Sequence, residues 1–318
     1  MELTSIGTPL MWSGFLAFVL AMLALDLFVL GGRRAHRVST GEALGWSIAW
    51  LSLALIFNAL LWLYLDGNFG REIANDKALE FLTGYLIEKS LSVDNVFVFL
   101  MIFTFFRVPA EYQRRVLIYG VLGAIVMRAI MILAGAYLVV KFHWILYLFG
   151  IFLVITGFKM LIFAGQEADL ERNPILKWLR GHLRITPDYH GEKFWIMKEG
   201  VRWFTPLFLV LIMIEISDLI FAVDSIPAIF AITTDPFIVF TSNIFAILGL
   251  RALYFLLADM ADRFHLLKYG LALILVFVGL KMLIASFYKV PIGIALGVVG
   301  VILVTSILAS LAATRKRR

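Results

Sequence analysis

Apolar residues run through this chain in blocks too long for a soluble protein, with polar residues gathered between them. Nine blocks stand out, at about 9–30, 44–65, 79–105, 116–140, 143–164, 203–233, 236–258, 267–288 and 290–313. Each reaches or exceeds the ~20 residues a helix needs to cross the ~30 Å apolar slab of a bilayer. Lipid cannot satisfy backbone polar groups, so the pattern predicts nine transmembrane helices in an all-α polytopic membrane protein. Residues 1–318 read as a single transmembrane domain. The first block has no basic flank ahead of it and no evident small-residue cleavage site, so it reads as a retained span.

Composition agrees. Of 318 residues, 62% are hydrophobic and only 16% charged, where a soluble domain carries about 25% charge. There is no cysteine, which excludes disulfides, iron–sulfur clusters and thiol redox chemistry in the chain itself. The net charge of +6 comes mostly from loop bias. With the N-terminus outside, nineteen Lys and Arg fall in inner loops and tails, and four (Arg71, Lys77, Lys141, Lys289) in outer loops. Positive-inside bias then predicts an N-out, C-in protein and leaves no need for a nucleic-acid partner. Within the long inner loop, 165–202, residues 174–184 have the pattern of a short amphipathic helix on the inner membrane surface.

Two apolar blocks contain acids. The third holds Glu88 and Asp94, and the sixth holds Glu215, Asp218 and Asp224. A charge at the bilayer centre costs about 2.5–3.5 kcal/mol on insertion scales, so such residues mark function by default. On an ideal helix Glu88, Ser92 and Asn95 share one stripe, with Asp94 ~120° away. Glu215 and Asp224 point to opposite faces of a straight helix. A straight helix over 203–233 is also too long, at ~46 Å. Pro227 cannot donate to the Val223 carbonyl, so the sixth helix is expected to unwind near Asp224 and let the acids converge. If it stays continuous, five acids cannot share one site and two successive sites follow.

The acidic motifs belong to a repeat. Glu88 to Asn95 matches Asp218 to Ser225, Met127-Arg128-Ala129 matches Leu250-Arg251-Ala252, and Gly157-Phe158-Lys159-Met160 matches Gly279-Leu280-Lys281-Met282, in the same order. Each unit, about 79–164 and 203–288, has three spans. An odd number inverts the second copy, and inverted repeats place a shared site near the midplane. This layout is that of a transporter rather than an enzyme, scaffold or anchor, and no prosthetic group is expected.

The candidate ligands are Glu88, Asp94, Glu215, Asp218 and Asp224, with Asn95, Ser217 and Ser225 as neutral oxygen donors. Oxygen ligation suits hard divalent cations such as Mn²⁺, Mg²⁺ or Ca²⁺. All five histidines fall in loops or at span ends, which argues against a zinc, nickel or copper site at the centre. Structural pairing is the competing reading, because Lys89, Arg128 and Arg251 also lie within spans. The excess of about two negative charges suits one divalent ion or two protons. Asp26 either joins the site or pairs with a base. Lys159 and Lys281 read as snorkelling side chains, and the scattered methionines, Met160 among them, as packing.

The runs Gly84 to Phe97 and Glu215 to Ile229 resemble the TerC family of integral membrane proteins, and the likeness extends over nearly the whole chain. The resemblance implies a bacterial inner-membrane protein that exports Mn²⁺ from the cytoplasm, with proton exchange available to the same carboxylates. The alternative it brings is a non-transporting membrane component of redox or tellurite-stress type.

Overall fold

The computed structural model describes residues 5–25, 39–142, 144–162, 173–258, 266–285, 287–288 and 290–316. The first half comprises α1 (Pro9–Leu25), α2 (Thr40–Phe69), α3 (Arg71–Phe105), α4 (Ala110–Lys141) and α5 (Ile145–Ile162). A short helix α6 (Pro174–His182) and a hairpin of β1 (Trp195–Lys198) and β2 (Val201–Phe204) follow. The second half comprises α7 (Pro206–Phe230), α8 (Pro236–Leu248), α9 (Leu250–Ala258), α10 (Leu267–Ile284) and α11 (Ile292–Lys316).

Each predicted apolar block is helical through most of its described length. Helices over 40–69, 110–141, 145–162, 206–230, 236–258, 267–284 and 292–313 are long and apolar enough to cross a membrane, while α1 is apolar but shorter. α3 has the length, at 35 residues, but carries the ionisable residues of the first motif. The chain is thus a helical polytopic membrane protein. Helix starts follow local chemistry: prolines open α6, α7 and α8, where no intrahelical N–H is needed. The Asn173 and Asp235 side chains accept from the first free N–H groups of α6 and α8.

Three features depart from the sequence-based expectation. The long loop between α5 and α7 contains an antiparallel hairpin, turned at Glu199 and Gly200 with φ of 52° and 74°. Positive φ at both central residues is the two-residue turn whose twist suits a hairpin. The hairpin absorbs Trp203 and Phe204, so α7 is only 25 residues long and the excess length of the sixth block disappears. α7 also stays helical through Pro227, with no unwinding at Asp224. The interruption lies one helix later, at Gly249 between α8 and α9, where a Cβ would sit 2.6 Å from Lys89 Nζ and 3.3 Å from Trp50 Cβ.

α8 forms the centre of the bundle, and its residues from Phe237 to Leu248 are all buried. The outer helices carry exposed apolar side chains, as Leu55 and Ile56 on α2, Ile155 on α5 and Val301 on α11 illustrate. That pattern suits lipid contact. α5 and α10 pack closely because glycines remove side chains from their interface. A Cβ on Gly157 would lie 2.8 Å from the Ala272 carbonyl and 2.7 Å from Val276, and one on Gly279 would lie 2.8 Å from both the Gly150 carbonyl and Val154.

Candidate ion site between the two acidic helices

On α3 the 3.6-residue period brings Glu88, Ser92 and Asn95 onto one fully buried face, at 0%, 1% and 1% exposure, with Asp94 on its flank. On α7 the buried face carries Asp218 and Ser225, at 2% and 1%. Because α7 is continuous, Glu215 and Asp224 remain on opposite flanks of it, and the expected convergence of five acids does not occur.

Arg128, from α4, divides the acids. Its guanidinium is 1% exposed and donates to Glu88 on α3 and to both oxygens of Asp218 on α7, at 3.0 and 3.3 Å. It also donates to the Ser225 hydroxyl (3.3 Å) and to Asn243 Oδ1 (3.0 Å), and Asn243 Nδ2 donates to the second Glu88 oxygen at 3.3 Å. A buried charge is tolerated when paired and fully hydrogen-bonded, and this network meets that condition. Structural pairing therefore describes Glu88 and Asp218. Asn243 has no place in the acidic motifs. Its only sequence signal is the polar triplet Thr241-Ser242-Asn243 inside an apolar block, all at 0% exposure.

Beside this network lies a small cavity of about 40 Å³, enough for a water or a single ion. Asp94 and Asn95 from α3 and Asp224 and Ser225 from α7 line it, with Glu88 and Arg128 forming one wall. Leu91, Phe221 and Leu275 supply apolar walls, and Met160 of α5 completes the lining. Asn95 Oδ1 is buried without a hydrogen-bond partner, an orphan that normally costs about 1–3 kcal/mol. Thr156, one turn before Met160 on α5, and Lys159 lie near the Asp224 carboxylate. Thr156 and Met160 join the site through packing of α5, which the acidic motifs do not foretell.

The remaining candidates lie elsewhere. The Glu215 carboxylate occupies the space beside Gly123 on α4, where any Cβ would collide with it. Ser217 and Ser92 donate to carbonyls four residues back, those of Met213 and Glu88. Lys89 reaches the Ala246 carbonyl at 3.4 Å. Lys281 donates inward to the Ala231 carbonyl at 3.2 Å rather than snorkelling, because the end of α7 leaves that acceptor open. Arg251 lines a second small cavity with Asp218 and Gly120. Asp26 lies outside the described residues. Among the described residues, no three Asp, Glu, His or Cys side chains come together as a metal-binding group. The acids divide between the Arg128 network, the cavity and the Gly123 contact.

Comparison with known proteins agrees with the acidic motifs. Residues 73–318 match the model of the integral membrane protein TerC family. The chain is 59% identical over 307 residues to the Salmonella typhi protein named "Putative membrane-bound redox modulator Alx", covering 96% of this chain and 95% of that one. It is 58% identical over 307 residues to the Escherichia coli K12 protein of the same name, covering 96% of each. A Myxococcus xanthus membrane protein, STKORF319, is 51% identical over 311 residues, covering 98% of this chain and 95% of its own. No solved structure matches. The chain belongs to the TerC family of integral membrane proteins.

Proposed function

We propose that this protein exports Mn²⁺ across the bacterial inner membrane by alternating access of two inverted three-helix repeats. One observation carries the reading. Asp94 and Asp224 hold the same place in the two motifs, and they line one buried cavity together with an amide oxygen, that of Asn95, which has no protein partner. Two carboxylates and neutral oxygens neutralise and ligate a hard divalent ion. The same carboxylates can take up protons when the ion leaves.

The inversion has its own support. Aligning Gly157 with Gly279 pairs Gly150 with Ala272 and Val154 with Val276. Under that exchange the contact of Gly157 with Ala272 and Val276 becomes the contact of Gly279 with Gly150 and Val154. Contacts that map onto themselves this way are what a two-fold axis relating the repeats produces, and the odd number of spans in each unit is what turns that axis into the membrane plane. The reading retains nine spans, α8 and α9 together forming one, with the N-terminus outside and the hairpin in the cytoplasm.

The Alx relatives carry a redox name, but a chain without cysteine has no thiol couple of its own. The deciding experiment is Mn²⁺ flux in vesicles holding only this protein. Flux abolished in Asp94→Asn and Asp224→Asn is the expected result. No flux in the wild-type protein refutes the proposal and favours a non-transporting role.

A further inference from the structure

A site of hard oxygens alone binds Mg²⁺ and Ca²⁺ as readily as it binds Mn²⁺ in kind. Mg²⁺ far exceeds Mn²⁺ in any cytoplasm, so an oxygen-only exporter would spend its cycles on the wrong ion. Carboxylate, amide and hydroxyl groups supply no discrimination here. The lining does contain one residue able to offer another kind of donor, Met160, whose side chain carries a thioether.

We infer that Met160 is a specificity-determining ligand of the cavity, its thioether sulfur favouring a transition-metal ion over Mg²⁺ and Ca²⁺. The inference rests on the ion-site reading of the same cavity. Soft donors bind transition-metal ions and offer nothing to Mg²⁺ or Ca²⁺. Placement is set by α5. Thr156 lies near Asp224, and Met160, four residues on, lies on the same helical face and borders the cavity with Asp224. The close α5–α10 packing at Gly157 and Gly279 holds that face in place. The second repeat carries the same Gly-x-Lys-Met motif, but its methionine, Met282, is buried among apolar side chains at 5% exposure. Met160 also packs against apolar neighbours, but of these two equivalent methionines it is the one that borders the cavity.

The test uses the full chain in detergent and in vesicles. Mn²⁺ binding is read from the rise in melting temperature, and Mn²⁺ flux is measured against increasing Mg²⁺. Met160→Leu nearly conserves volume and keeps the fold. It should weaken Mn²⁺ binding and lower Mn²⁺ flux even when Mg²⁺ is absent, and the Mg²⁺ concentration that halves the remaining flux should fall by about tenfold, the equivalent of one modest ligand preference. Met282→Leu should leave that concentration at the wild-type value. If wild-type protein shows neither binding nor flux, the ion-site reading fails. If wild-type protein transports Mn²⁺ and Met160→Leu keeps wild-type Mg²⁺ competition in both assays, the selectivity role of Met160 is overturned while the site stands.

Discussion

Arg128 and Asp218 face each other as a two-point pair, Nη2 to Oδ1 at 3.0 Å and Nε to Oδ2 at 3.3 Å, joining α4 to α7. The same guanidinium holds Glu88 on α3. Three helices thus meet on one buried cation. Removing it leaves two carboxylates without their countercharge. Arg128→Gln should destabilise the protein by about 3–5 kcal/mol, the usual cost of breaking a buried pair from one side. Adding Glu88→Gln and Asp218→Asn should recover part of that loss. Melting temperatures in detergent would show it, and strictly additive losses would mean the three groups do not act as one network.

The ion reading requires Asp94 and Asp224 to work together. Each Asp→Asn change removes a charge and nearly keeps volume. Either alone should abolish most Mn²⁺ flux, and the double variant should be little worse, because groups acting as a unit are strongly non-additive. Lys177→Ala, at an exposed position of α6, should transport normally. Wild-type flux in both single variants at equal membrane abundance would remove these carboxylates from the ion path.

Glycine at the α5–α10 contact is a steric requirement. A leucine at Gly157 or at Gly279 would drive a side chain into carbonyls now within 2.8 Å of the Cβ position. Each change should destabilise by about 1–3 kcal/mol, as overpacking does. Because the two glycines make matching contacts, the two losses should be similar. A large loss at one glycine and none at the other, by thermal melting, would argue against equivalent environments.

Orientation can be read with fusions. A reporter active only in the cytoplasm should work when joined near His190, in the loop between α6 and β1, or after Arg318, and fail after Asn68. Activity at Asn68 would overturn the N-out arrangement and, with it, the inversion of the second repeat.

Much of this protein was legible before any coordinates. Nine apolar blocks, no cysteine and two acidic motifs at matching spacing are one-dimensional facts. Lipid turns such facts into helices, because no other local structure satisfies the backbone there. The buried stripe of Glu88, Ser92 and Asn95 follows from helical period alone. The TerC membership, too, is carried by residue identity. Which acids meet was decided elsewhere. Pro227 reads as a break from its missing N–H, yet α7 continues through it, because a helix packed inside a bundle can lose one hydrogen bond and keep its course. With α7 straight, Glu215 and Asp224 stay apart. Arg128 arrives from one helix and Asn243 from another to claim Glu88, while α5 brings Thr156 and Met160 to Asp224 and its cavity. Those partners lie tens of residues from the motifs. Their meeting depends on how helices pack, on glycines at contacts and on rotation about each helix axis, none of which a local pattern encodes. Sequence therefore determined the membrane, the helices and the acids, and tertiary packing decided which acids hold the bundle together and which face the cavity.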